Sequence, residues 1–154
     1  MRRLLPSPVE AVDVAEACAV DVTGAGDRPW TVGLVAATAD GSVTLGGVSG
    51  SIGGRGDVEV FAAVRAVADA IVVGAATATI EGYGPARPRP EAVAARTARG
   101  QSPRPTVVVV SGRLSVPPGL RLFAEADAGD PRPVVVHGPE APAEAAARLA
   151  EVAE

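Results

Sequence analysis

The chain has 154 residues, 47% hydrophobic and 21% charged, with a net charge of −4, a composition that suits one α/β-sized domain with its own core. It contains no lysine, one histidine and one cysteine, which excludes a Walker phosphate loop, Schiff-base chemistry, a multi-histidine metal site and an intramolecular disulfide. No apolar run reaches the ~18 residues of a membrane span, and scattered arginines on an acidic chain argue against a nucleic-acid surface.

Residues 1–29 read as a leader. Met1-Arg2-Arg3-Leu4-Leu5-Pro6 imitates the start of a secretory signal, but Pro6, Pro8, Glu10, Asp13 and Glu16 interrupt any apolar core. With the single cysteine, this places the chain in a reducing cytoplasm. A short helix is expected around residues 8–19, then a turn from Gly24 to Pro29. Residues 30–154 form the folded part. Trp30 to Thr38 is an apolar run of strand length, expected to be buried on both faces. Asp40-Gly41 signals a turn, and Ser42 to Leu45 a second short extended piece. Gly46 to Gly56 is a glycine-rich loop, after which Asp57 can cap a helix whose apolar positions recur through Ala68. Ala70 to Ala75 is the next buried strand. Thr77 to Pro90 begins irregular or as a short helix and must turn at Gly82-Tyr83-Gly84-Pro85. Glu91 to Arg99 suits an exposed helix, Thr106 to Ser111 and Pro133 to His137 two more strands, and Pro142 opens a final helix. This order predicts a mostly parallel central sheet flanked by helices.

Ligands of open parallel sheets bind at the carboxyl ends of the strands. Thr38 and Asp40, Thr77 and Glu81, and Ser111 stand at three such ends, with the glycine loop between the first two. Glycine backbone and hydroxyls suit a nucleotide-like ligand, although loops at strand ends are polar by default. The loop lacks G-x-G-x-x-G spacing, so an ordinary Rossmann fingerprint is absent. Taken singly, Asp40 reads as a turn residue, Arg65 as a solvated helix residue, Cys18 as a small apolar filler and His137 as the polar end of a strand.

Taken together, Arg28-Pro29-Trp30, Ala39-Asp40-Gly41, Phe61 with Arg65-Ala66, the run Ala68 to Ala75, Thr77 and Glu81-Gly82-Tyr83-Gly84-Pro85 resemble the reductase domain of the riboflavin-biosynthesis deaminase-reductase and stand-alone pyrimidine reductases of that family. The resemblance covers about Arg28 to Glu154 and is most specific between Trp30 and Arg87. It implies a dihydrofolate-reductase-like α/β fold, assembled as a homodimer, of which residues 30–154 form the N-terminal portion. The implied reaction is NADPH-dependent reduction of 5-amino-6-(5-phosphoribosylamino)uracil or a close analogue to its ribitylamino form, with hydride passing to the sugar's C1 carbon. By the motif match, Ala36, Ser51, Thr77, Glu81 and Ser111 line the cofactor, and Ser49, Arg65 and Arg87 face the phosphoribosyl pyrimidine. Asp40 lies at the floor between them and, with Glu81, carries the catalytic assignment. No metal is implied.

Three departures bear on this resemblance. Thr38-Ala39 stands where the family has serine before its Leu-Asp-Gly, and Gly74-Ala75-Ala76-Thr77 where it has Gly-x-Gly-Thr. The Gly-Gly-Pro-x-Leu turn that receives the cofactor phosphates has no counterpart here, so the module reads as C-terminally incomplete; His137-Gly138-Pro139-Glu140 imitates that turn but fits the preceding βα unit. The alternatives are a non-catalytic nucleotide- or partner-binding relative and an inactive, truncated remnant of the reductase.

Overall fold

The structure is a computed structural model that describes residues 1, 3, 7–19, 26–50 and 52–154. The chain divides into two compact units, Met1–Val67 and Ala68–Glu154.

In the N-terminal unit, Asp13 caps a single-turn helix α1 (Val14–Ala17) by accepting the Glu16 N–H at 2.9 Å. That is less helix than the 8–19 span expected, and Gly24 and Ala25 of the expected turn lie outside the described residues. Helix α2 (Arg55–Val67) is the amphipathic segment foreseen, with one correction. It starts at Arg55, so Asp57 lies within its first turn and is not its cap, where its carboxylate still meets the positive end of the helix. The larger correction concerns residues 30–38. They form no strand, and Trp30, Val32 and Val35 are exposed. Val and Leu supply strand propensity, but a strand exists only where a neighbour pairs with it, and no ladder reaches these residues. Ser42 to Leu45 is likewise no strand. Leu45 and Val48 instead form a single antiparallel bridge around Gly46-Gly47, whose φ angles of 62° and 87° are those of a two-residue primed turn that only glycine adopts freely.

The C-terminal unit contains the sheet. Strands β1 (Ala70–Gly74), β2 (Thr106–Val110) and β3 (Val134–Val136) run parallel in the order β1-β2-β3. The register pairs Val73 with Val109 and Val109 with Val135. Helices α3 (Ala75–Ile80) and α4 (Pro90–Ala98) connect β1 to β2, α5 (Arg121–Ala124) lies between β2 and β3, and α6 (Ala143–Ala150) follows β3. Proline begins α4 and caps α6, positions where its missing N–H costs nothing. Helix α5, the one element the sequence pattern did not suggest, buries Leu122 and Phe123.

Helices pack on one face of this sheet. Val73, Val107, Val109 and Val135 point into a core with Ala75, Ala78, Leu114, Val116, Leu120, Leu122, Phe123, Ala145, Leu149 and Ala153. The alternate residues Val72, Val110 and Val136 are 67%, 47% and 48% exposed. The continuous valine runs suggested burial on both faces; the side-chain period of two instead divides each run between a buried and an open face. Arg96 of α4 is fully buried. Its guanidinium donates to the Ala68 carbonyl at 2.6 Å and the Ser102 carbonyl at 2.8 Å, tying α4 to the residues that precede β1 and β2. Burial, opposed by Asp69, lowers its pKa.

Candidate functional site

The residues proposed for chemistry are distributed over both units, and each unit positions its own set. In the N-terminal unit, Asp40 sits in a closed turn. Thr38 N–H donates to the Ser42 carbonyl and Gly41 N–H to the Thr38 carbonyl, both at 2.9 Å. Gly41 permits this closure at φ 85°. The Thr38 hydroxyl donates to the Asp40 carboxylate while accepting the Ser42 N–H at 3.0 Å, and that N–H also approaches Asp40 at 3.3 Å. Thr38, first, and then the Ser42 amide favour the ionised carboxyl, so Asp40 is held below the usual aspartate pKa. Such a group is a carboxylate at neutral pH: it can accept a proton or stabilise a cation, but it is a poor acid.

Ala36 and Ser49 are half-buried in the same unit, and the Ser49 carbonyl accepts the Ile52 N–H at 3.0 Å. Ser51 lies outside the described residues. Arg65, on the last turns of α2, is half-buried with its guanidinium 5.5 Å from the centre of the Phe61 ring, a cation–π distance.

In the C-terminal unit the parallel ladder brings two of the expected residues to one edge of the sheet. Gly74 and Val110 are paired at the carboxyl ends of β1 and β2; Thr77 follows the first by three residues and Ser111 the second by one. Thr77 is exposed on α3. Ser111 is 3% exposed, with its hydroxyl accepting the Ser115 N–H at 3.0 Å and its own N–H donating to Val136 at 2.9 Å. That last bond also sets the end of β3, and hence His137, beside Ser111. Glu81 caps the C-terminus of α3, half-buried, and Gly82 turns the chain at φ 60°.

Arg87 is directed elsewhere. Its guanidinium meets both Asp130 oxygens at 2.7 Å, the Asp127 carboxylate at 3.1 Å and the Glu125 carbonyl at 3.0 Å. Arg104 joins the same Asp130 carboxylate. Burial pushes the Asp130 carboxyl up, but Arg87, the Asp127 amide and Arg104 together outweigh it and bring its pKa to about 2. A second pair, Arg121 and Glu125 at 2.8 Å, is the i,i+4 contact of α5. Sequence reading missed Asp127 and Asp130 as Arg87's partners, and Arg104 as the second arginine on Asp130. Their separation of 17 to 43 residues from Arg87 leaves no local pattern, and the only hint was an acidic loop facing an arginine-rich one. It also missed Ser115, whose i+4 offset from Ser111 was visible. Among the described residues no group of three or more His, Cys, Asp or Glu side chains could hold a metal ion, and no helix is long and apolar enough to cross a membrane.

With this geometry in hand, comparison with known proteins is informative. No curated protein sequence matches the chain. Among solved structures, the chain is similar to a pyrimidine reductase-like protein from Corynebacterium diphtheriae, with a TM-score of 0.75 and 29% identity over 92% of this chain. It spans 58% of that protein's length. Residues 29–153 match the RibD C-terminal domain. The match takes in all three strands and both proposed residue sets, and the chain therefore belongs to the RibD C-terminal domain family, the reductase-family domain of riboflavin biosynthesis.

Proposed function

We propose that this chain is an NADPH-dependent pyrimidine reductase of the riboflavin pathway, acting on 5-amino-6-(5-phosphoribosylamino)uracil or a close analogue. Residues 30–154 are the reductase part and 1–29 a leader, and the working form is a cytoplasmic homodimer. The observation that carries the reading is the family match over residues 29–153, to which the fold adds a parallel sheet with Thr77 and Ser111 at neighbouring strand ends.

The donor set at those ends suits a dinucleotide. A Cβ at Gly74 would meet nothing within 4 Å, so β1 ends beneath open space. No side chain caps α3, which begins directly after Gly74 at that strand end. Thr77 adds an exposed hydroxyl, and Ala36, Ser51, Glu81 and Ser111 complete the cofactor assignment. The cofactor supplies the hydride. The protein's own residues orient the two reactants and manage charge. Asp40, held as a carboxylate, stabilises the positive charge of the protonated imine formed when the ribose ring opens, before C1 is reduced. Glu81 is assigned to the same chemistry, and Ser49, Arg65 and Arg87 to the substrate. For Arg87 to hold the substrate phosphate it must exchange its carboxylate partners Asp127 and Asp130 for that phosphate, a like-for-like replacement of one oxyanion by another.

The test is a steady-state assay of the purified chain with NADPH and the phosphoribosylamino pyrimidine. Loss of the reduced-nicotinamide absorbance, with a product heavier by two hydrogens, is the expected outcome. Saturable NADPH binding without turnover would replace this reading with that of a non-catalytic nucleotide-binding relative.

A further inference from the structure

Arg87 and Arg104, from separate stretches of the chain, converge on the turn that runs from Asp127 to Asp130. In that turn the Asp130 N–H donates to the Asp127 carbonyl at 2.9 Å, and the Asp130 carboxylate accepts the Asp127 N–H at 2.8 Å. These bonds fix the turn without help from the Asp127 side chain. The two acidic side chains are therefore unlike. That of Asp130 is 5% exposed and takes both arginines, whereas that of Asp127 is 68% exposed and reaches Arg87 at 3.1 Å and Arg104 at 3.7 Å.

Exposure and charge decide which of these contacts can open. Water competes with an ion pair as exposed as Asp127 and Arg87, and holding it costs side-chain freedom. Two guanidiniums face two carboxylates in this cluster, so freeing Asp127 leaves one positive charge in excess. That charge is carried by a partly exposed guanidinium fork, a shape that matches phosphate oxygens. Withdrawing Arg87 from Asp130 as well would strand a nearly buried anion, a costly state, were Arg104 not on the same carboxylate.

We propose that the Asp127–Asp130 turn is a latch on Arg87: its carboxylates occupy the guanidinium while no substrate is present, and a phosphate monoester displaces them. Asp127 leaves first, and Arg104 keeps Asp130 paired as Arg87 passes to the phosphate. This rests on the assignment of Arg87 to the substrate phosphate. To that assignment it adds an intramolecular competitor, Asp127, and a positioning residue, Arg104. The affinity of the site is then a difference between two oxyanion contacts of the same kind, one held on the chain and one on the ligand.

The test titrates the isotope-labelled full chain with ribose 5-phosphate and follows the arginine Nε–Hε resonances. The expected result is a saturable shift of the Arg87 resonance that ribose alone does not produce. Asp127→Asn tightens this binding roughly threefold, the scale of one exposed ion pair. Glu125→Gln is the control: its charge reaches Arg87, but its carboxylate is bound to Arg121, so the affinity stays near the parent's. Arg104→Met weakens binding, and Arg104→Lys, which keeps a cation on Asp130, restores most of it. An unmoved Arg87 resonance, equal affinity in Asp127→Asn and the parent, an equal gain in Glu125→Gln, or no rescue by lysine overturns the latch. Turnover is read separately. Reduction of the pyrimidine without these binding changes overturns the latch alone, whereas the binding changes without turnover uphold the latch and remove the reductase reading.

Discussion

Removing the Asp130 carboxylate tests the electrostatics of the C-terminal unit most directly. The Asp130 side chain is 5% exposed, against 41% for Arg87 and 30% for Arg104. Its pKa falls from the ordinary 3.8 to about 2, a difference that corresponds to about 2.5 kcal/mol. Solvent around the two arginines screens part of this, leaving on the order of 1–2 kcal/mol. Because the folded-state value is depressed, that stability is complete above pH ~4 and disappears as the pH falls through about 2. Asp130→Asn keeps the shape but leaves Arg87 and Arg104 facing one another without their shared anion. At pH 7 the variant should unfold about 1–2 kcal/mol more easily, a loss of several degrees in Tm. Between pH ~4 and pH ~2 the two proteins should converge, since acid removes from the parent what the substitution removed from the variant. Urea titrations at a series of pH values measure both effects. Two parallel stability curves, separated by the same amount at pH 7 and pH 2, would refute the argument, for they would mean that the loss is one of packing and not of charge.

Other consequences follow from the same structure. Val109→Ala, at a fully buried position, should cost roughly 2 kcal/mol, whereas Val72→Thr on the open face should change stability by less than about 0.5 kcal/mol; chemical denaturation distinguishes a sheet covered on one face from one covered on both. Gly82→Ala places a side chain at φ 60° and should cost about 1–2 kcal/mol, while Gly74→Ala, at φ −72° with open space around it, should be nearly neutral in the melting temperature. Arg96→Met leaves the Ala68 and Ser102 carbonyls without their donor and should destabilise by about 2–4 kcal/mol in the same measurement. If the reductase reading holds, Asp40→Asn should lower kcat on the order of 10²-fold. The acid limb of the parent's rate should then lie below the usual aspartate range, because Thr38 and the Ser42 amide hold that carboxyl ionised.

Much of the C-terminal unit was legible from residue order alone. Val107 to Val110 and Val134 to Val136 are β-branched runs between proline and glycine breaks, and Pro90 and Pro142 announce the helices that follow them. The turns at Gly41 and Gly82 were legible for a covalent reason, since only glycine reaches those φ angles at little cost. These signals are local. They are written within a few residues of the feature they produce, and chain connectivity preserves them.

What depends on a distant neighbour was not legible. Trp30 to Thr38 has the composition of a strand and no ladder, because pairing is a property of two segments and composition belongs to one. A run of valines cannot say whether one face or two will be covered, so the exposure of Val72, Val110 and Val136 emerged only when the helices were seen to pack on the other side. Arg87 carried an assignment to phosphate, yet its position opposite Asp127 and Asp130 comes from a fold that closes a gap of about forty residues. The amino-acid order by itself determined the parallel α/β class, the proline-marked starts of α4 and α6 and the glycine turns, since each is set by signals within a few residues. Tertiary structure alone decided which strand edges find partners, which face is buried and which charges meet, since those energies exist only between groups that folding brings together.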